Sequence, residues 1–180
     1  MPQYSHYSGI LSLIPEDSSA GLLFLKQYLP LIDSSNPLIM DAVSPDASLI
    51  TNDSPPLKFS DVLPMFSKRA EMLDHFSHAD FPVEAWDLEE LNSKRTVIYS
   101  SISRCVFPFL LLEALENLTD ICSSVFKGSS DGIDCREMSV CRLVRAPEGK
   151  GIQNLWLVQA TNFLNLSKFA ARNKEAAKSD

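Results

Sequence analysis

The stretch that decides the fold runs from Lys58 to Phe107: KFSDVLPMFSKRAEMLDHFSHADFPVEAWDLEELNSKRTVIYSSISRCVF. In its first third Val62, Leu63, Phe66, Ala70 and Leu73 recur at helical spacing, with Lys68, Arg69 and Glu71 between them. Ser60 is the expected N-cap, Asp61 suits the positive end of the helix dipole, and Pro64 falls near the end of the first turn, where a missing N–H costs least. The period then changes to two. Ala79, Phe81, Val83 and Ala85 alternate with His78, Asp80, Glu84 and Trp86, which is strand spacing. After a polar, acidic break from Asp87 to Lys94, the segment Thr96 to Phe107 is rich in β-formers and pairs with the preceding strand as a hairpin. A helix feeding a meander, with a polar row on one strand face, predicts a curved sheet closing over a pocket.

Upstream, residues 1–15 read as an arm without clear period. Glu16 to Ser19 supplies helix-start residues, and Leu22, Leu23, Leu25, Tyr28, Leu29 and Ile32 continue as a largely buried helix that Pro30 should kink or end. Leu38 to Val43 predicts a short second helix, Ala47 to Asn52 a short strand, and Asp53-Ser54-Pro55-Pro56 a rigid turn. Downstream, Leu110 to Phe126 has helical spacing and Lys127 to Asp134 reads as a turn. Strands are expected near Arg136–Arg145 and Ile152–Leu164, joined by a turn from Ala146 to Gly151, and the Ala/Lys-rich tail from Lys168 should fray.

Composition narrows the function. A chain of 180 residues, 45% hydrophobic and 22% charged, is expected to build one domain, residues 1–180, around a single core. A net charge of −7 argues against nucleic acid as a partner, because phosphate binding needs clustered Lys and Arg. The opening MPQYSHYSG has no basic n-region and Ile10 to Ile14 is too short for a signal core. Val106 to Leu112, broken by Pro108 and followed by Glu113, is too short to span a bilayer. A cytoplasmic protein with no membrane partner is the expectation. The sequons at Asn52, Asn117 and Asn165 then read as chance matches, and Cys105, Cys122, Cys135 and Cys141, with no C-x-x-C pair, as reduced thiols.

The element order, with the wording of several segments, resembles the nuclear transport factor 2-like superfamily and, within it, the SnoaL-like proteins. The residues that carry the resemblance are Phe24 to Asp33, SPDASLITN (Ser44 to Asn52), FSDVLPMFSKRAEML, HADFPVEAWDLEE and RTVIYSSIS, covering most of residues 20–107. The resemblance implies an α+β cone, a strongly bent mixed β-sheet wrapped around the N-terminal helices and enclosing an apolar pocket. It makes residues 109–134 an insert, longer than the superfamily's usual connection. It also implies cofactor-independent acid–base chemistry on a small apolar metabolite, a polyketide or terpenoid intermediate, by an isomerase, cyclase or dehydratase. The alternative is a non-catalytic small-molecule binding or dimerisation module of the same fold.

Within that superfamily the scytalone dehydratases place an Asp at the end of the first helix and a His opening the strand after the long helix. By position these resemble Asp33 and His78, while their further His on the next strand is matched by Ser100, following Tyr99. His78 is thus the expected acid–base group, Asp33 its electrostatic partner, and Ser100 or Tyr99 a donor to an oxyanion. The competing reading has Asp33 capping the helix exit and His78 as a partly exposed strand-edge residue. His78, Asp80, Glu84 and Trp86 share one strand face, which either lines the pocket or faces solvent. Met65, Phe66 and Arg69 lie on one helical stripe and reach either a ligand or the core; Arg104 and Arg142 pair across the sheet or bind substrate.

His75-x-x-His78 with Asp74 and Asp80 nearby invites a metal, but no matching Cys/His pair follows, so no metal and no cofactor is expected. There is no G-x-S-x-G elbow, and GSSDG (Gly128 to Gly132) fits no nucleotide fingerprint. A homodimer is expected on two grounds: the resemblance implies sheets paired back to back, and the apolar row Ala79, Phe81, Val83 and Ala85 would then need covering.

Overall fold

The computed structural model describes residues 4–72, 75–78, 81–90, 94–106 and 133–165. They form strand β1 (Tyr4–Ile10), helix α1 (Ala20–Asp33), strands β2 (Val43–Thr51) and β3 (Leu57–Lys58), helix α2 (Phe59–Met72), and strands β4 (His75–Ser77), β5 (Pro82–Glu89), β6 (Arg95–Val106), β7 (Ile133–Arg145) and β8 (Leu155–Asn165). The strands make one eight-stranded sheet in the order β1-β5-β6-β7-β8-β2-β3, with β4 also on β6. Only β2 and β8 run parallel, so the sheet is mixed. Irregularities between Val43 and Ser48, and between Arg142 and Leu143, bend it as bulges do. The architecture is the expected α+β cone.

Inward rows alternate along the strands and fix what the concave face presents. They are Val83, Ala85 and Asp87 on β5; Val97, Tyr99, Ser101 and Ser103 on β6; and Cys135, Glu137, Ser139, Cys141 and Leu143 on β7. Helix α1 lies in the cone with Leu22, Phe24, Leu25, Tyr28 and Leu29 buried. Its start is fixed from the sheet rather than by its own cap. Ser19 makes no side-chain cap bond, and instead the buried Asp87 accepts from the Gly21 N–H at 3.0 Å and pairs with Arg95 at 2.7 Å. A Cβ on residue 21 would lie 2.4–2.6 Å from that carboxylate, so the close approach requires glycine.

Several expectations change. The N-terminal arm is strand β1, paired with β5 from Tyr4↔Leu88 to Ile10↔Pro82; its alternation is of aromatic and polar residues, with no apolar face to reveal it. Pro30 does not end α1, which runs on to Asp33, with the Ser34 N–H bonded to the Pro30 carbonyl. Ser60 is the second residue of α2 rather than its cap, and its hydroxyl lies beside Asp61. The expected second helix is a 3-10 segment, Pro37–Ala42, leading directly into β2. Asp87 belongs to the core, not to a polar break. Val83 and Ala85 face α1 inside the cone, and the Phe81 ring lies 4.8 Å below the Arg104 guanidinium. The apolar row therefore gives no support to a homodimer, since Val83 and Ala85 are covered within the chain.

The helical segment read at Leu110 to Phe126, most of the 109–134 insert and the tail from Lys168 lie outside the described residues. Ile133 and Asp134 open β7, and β6 and β7 already face each other at Cys105↔Ile133 and Arg104↔Asp134. The bidentate Arg104–Asp134 pair closes that end. Replacing residues 107–132 by a short Gly/Ser turn should therefore leave cooperative urea unfolding and the near-UV circular dichroism of the sheet in place. Loss of cooperativity would make the segment part of the core.

Candidate active site

His78 follows β4 at a bend in the chain. β4 pairs with the far end of β6 (Ser77↔Arg104) and β5 with its near part (Glu84↔Ser100), so His78 lies between the two pairings. The bend, closed by a 3.4 Å Phe81 N–H to His78 carbonyl contact, turns His78 inward, where only 3% of it is exposed. Asp33 ends α1 directly opposite. Its Oδ1 lies against His78 Nδ1, and its Oδ2 accepts from the His78 backbone N–H at 2.9 Å. The other ring nitrogen, Nε2, is 3.0 Å from Glu137 Oε1 on β7. An imidazole is thus held between two carboxylates.

The electrostatics follow from this arrangement. Burial alone would lower the His78 pKa, but the hydrogen bonds and charges of Asp33 and Glu137 overcome it and raise it to about 9. Burial would raise Glu137, yet the hydrogen bond and charge of His78 bring it below its ordinary value. At neutral pH His78 is an imidazolium donating through both nitrogens. Tyr28 and Tyr99 are pushed well above the phenol range by burial and by neighbouring negative charge, so they remain protonated donors. Burial, then the Glu137 charge, raises the Cys141 thiol to about 12, which removes it as a nucleophile.

These groups line a cavity of about 410 Å³. Its polar wall is His78, Glu137, Tyr99, Tyr28 and Asn162, and the facing wall is apolar, led by Phe59, Val62 and Phe66 of α2. Of the residues singled out from sequence, His78, Tyr99, Met65, Phe66 and Arg69 line it, with Met65 exposed at the rim. Asp33 stands behind His78. Arg69 donates to the Ile32 carbonyl, caps the end of α1, and stacks on Phe76 at 3.8 Å.

Two expected site residues lie elsewhere. Ser100 is exposed on the outer face, because the inward row of β6 falls on Tyr99, Ser101 and Ser103. Trp86 also faces outward and stacks on His6 at 5.4 Å, while Glu84 pairs with His6. His78 lies buried and inward while Glu84 and Trp86 face out, so the alternation that had put His78 on their face does not hold across β4 and β5. Asp80 and the His75 side chain lie outside the described residues. Glu137, which sequence reading passed over, is the principal addition. The signal available was a lone carboxylate in the row Cys135, Glu137, Ser139, Cys141. Among the described residues no cluster of three or more His, Cys, Asp or Glu side chains could hold a metal ion.

The clamp makes a signed prediction. A His pKa raised from 6.5 to about 9 contributes stability that is complete below about 6.5 and is lost as pH rises through 9, on the order of 3 kcal/mol. Glu137, lowered, contributes above its ordinary range and loses that contribution as pH falls through its depressed pKa. Urea unfolding against pH should show both limbs, with the alkaline one missing in His78→Gln. NMR titration should place His78 near 9 in the native protein and lower in Asp33→Asn. An unchanged His78 titration would separate the two residues.

No protein-family model matches this sequence, and no curated protein matches it. Solved structures do match in three dimensions. A nuclear transport factor 2-like superfamily protein from Salmonella enterica serovar Typhimurium aligns with a TM-score of 0.52 at 12% identity, over 77% of this chain and 83% of its own. A protein from Xanthomonas campestris pv. campestris, described as a candidate polyketide cyclase, aligns at 0.56 and 11% over 86% and 96%. A pinacolase from Penicillium brevicompactum aligns at 0.55 and 12% over 88% and 96%. At such identities the likeness is one of fold, and it agrees with the resemblance read from the sequence: the chain has the nuclear transport factor 2-like fold. Among the described residues no helix is long and apolar enough to cross a membrane.

Proposed function

We propose, from the premise of a nuclear transport factor 2-like fold, that this chain is an acid–base enzyme needing no cofactor, an isomerase, cyclase or dehydratase of a small, largely apolar metabolite. A polyketide or terpenoid intermediate is the substrate class. The observation that carries the reading is the buried Asp33–His78–Glu137 unit on the wall of an otherwise apolar cavity. Buried charge is expensive, and unlike Asp87, which holds the start of α1, the His78–Glu137 pair is set on the wall of an open cavity. A perturbed titratable cluster in a cleft is where proton transfer is found.

The cavity volume of about 410 Å³ suits a compact ring system. Its α2 wall, Phe59, Val62 and Phe66, takes the apolar body of the substrate, and the β6–β7 wall takes the reacting end. The neutral phenols of Tyr28 and Tyr99 supply donors for an oxygen that gains negative charge during reaction. The descriptions of the cyclase and pinacolase neighbours fit this class of chemistry, though their likeness extends only to the fold.

The test is turnover in D₂O against a panel of polyketide and terpenoid ketones, hydroxyketones and diols, read by mass spectrometry for isomers, dehydration products and incorporated deuterium. Conversion is expected with no added metal or cofactor, and the double variant His78→Gln/Glu137→Gln, which removes the titratable groups of the unit at the cavity wall, should slow it about a hundredfold to ten-thousandfold. Saturable binding without exchange or product across the panel would favour the binding-module alternative.

A further inference from the structure

The three members of the buried unit are not equivalent, and their hydrogen bonds separate them. Both oxygens of Asp33 are committed to His78, one to the ring and one to the backbone N–H, and Asp33 does not line the cavity. Both ring nitrogens of His78 are committed as well, Nδ1 to Asp33 and Nε2 to Glu137. An imidazolium with both N–H groups donating has no lone pair with which to take a proton, and it can give one up only by breaking a buried ion pair. Glu137 differs. It lines the cavity, contacts His78 through Oε1, and has a second oxygen that His78 does not engage.

We infer that Glu137 is the group that exchanges a proton with the bound molecule, and that His78, held by Asp33, is a positioning residue that fixes the carboxylate and its charge. This deepens the proposed acid–base reading and rests on it. Position supports the assignment. Glu137 sits opposite Ser101 in the β6–β7 register, one step from the Tyr99↔Ser139 pair, so the carboxylate and the Tyr99 phenol reach the same end of the cavity. A carboxylate paired with an imidazolium stays ionised without solvent, ready to accept a proton. His78 then holds the resulting carboxylic acid in place for return of the proton to another atom of the substrate. Asp33 matters at one remove, by keeping the imidazole charged and its ring plane fixed.

A probe reaction separates this from the alternative in which His78 itself transfers the proton. 5-Nitrobenzisoxazole is small, flat and apolar. When a base takes its ring C–H proton, the C–H electron pair forms the nitrile, the N–O bond breaks, and a coloured phenolate is released, with no other reactant needed. The intact protein is expected to accelerate this opening over buffer. Glu137→Gln, which can still accept from His78 Nε2, should lose about a hundredfold to ten-thousandfold of that acceleration.

His78→Gln gives the readout that a merely structural role would not move. With the imidazolium gone, burial lifts the Glu137 pKa, so the acid limb of the pH–rate profile should shift upward while turnover persists above it. Urea unfolding of each variant checks that it is folded. Glu137→Asp, which retains the charge but retracts it by one methylene, serves if Glu137→Gln is not, and should also be slow with its acid limb retained. If Glu137→Gln keeps the wild-type rate and His78→Gln loses it at every pH, His78 is the base; the assignment is then overturned while the acid–base reading stands. No acceleration by the wild type would overturn both.

Discussion

One buried cation between two carboxylates ties together three parts of the chain that are distant in sequence. Asp33 ends α1, His78 marks the β4–β5 bend, and Glu137 sits midway along β7. Each charge alone would be costly to bury, and removing any one leaves an uncompensated partner, a loss of about 3–5 kcal/mol for such sites. The end of α1, the inward turn of the chain at residue 78 and the register of β7 therefore depend on a single contact set. Asp33 makes this dependence visible. A carboxylate at the C-terminus of a helix opposes the dipole and is locally unfavourable, so its place there rests on the His78 imidazolium in front of it and on Arg69, which satisfies the Ile32 carbonyl.

The two ends of α1 are held by contrasting means. At the N-terminus Asp87 accepts from the Gly21 N–H through Oδ2, where a negative charge suits the dipole, and Arg95 pairs with the same oxygen. That is a structural use of a buried carboxylate, remote from the cavity. At the C-terminus the sign is unfavourable and the group stands behind His78, which lines the cavity. A local rule is obeyed where only stability is at stake and broken where chemistry is proposed, which is the pattern expected of functional sites.

This also explains what the sequence could and could not reveal. Helix α1 and the strands β5 to β8 were legible because their apolar period is plain, and the resemblance carried the cone and the Asp33–His78 pairing. The β1 strand was hidden, since Tyr4, His6 and Ser8 carry no apolar alternation for an edge strand to show. Ser100 was chosen in place of its inward neighbours because period-two reasoning cannot say which of two phases faces in until a strand is anchored. Trp86 was misplaced for a related reason: its phase was taken from His78, across a bend that alternation does not announce. Glu137 was missed because one carboxylate in a strand with Arg136 and Arg142 beside it looks like a surface charge. Only the pairing of Ser101 with Glu137 turns it inward.

The cavity follows from the same division of labour. Its α2 wall is mostly hydrocarbon and aromatic, with the Arg69 guanidinium committed to the Ile32 carbonyl and the Phe76 ring, so it recognises a ligand chiefly by shape and area. Orientation must come from the β6–β7 wall, where directional groups are mounted on paired strands rather than on loops. Strand mounting fixes Glu137 and Tyr99 relative to each other, and the helix contributes the Asp33 that holds His78 against them. The apolar wall also strengthens the polar one, because a charge pair with little water nearby is screened less than at a surface.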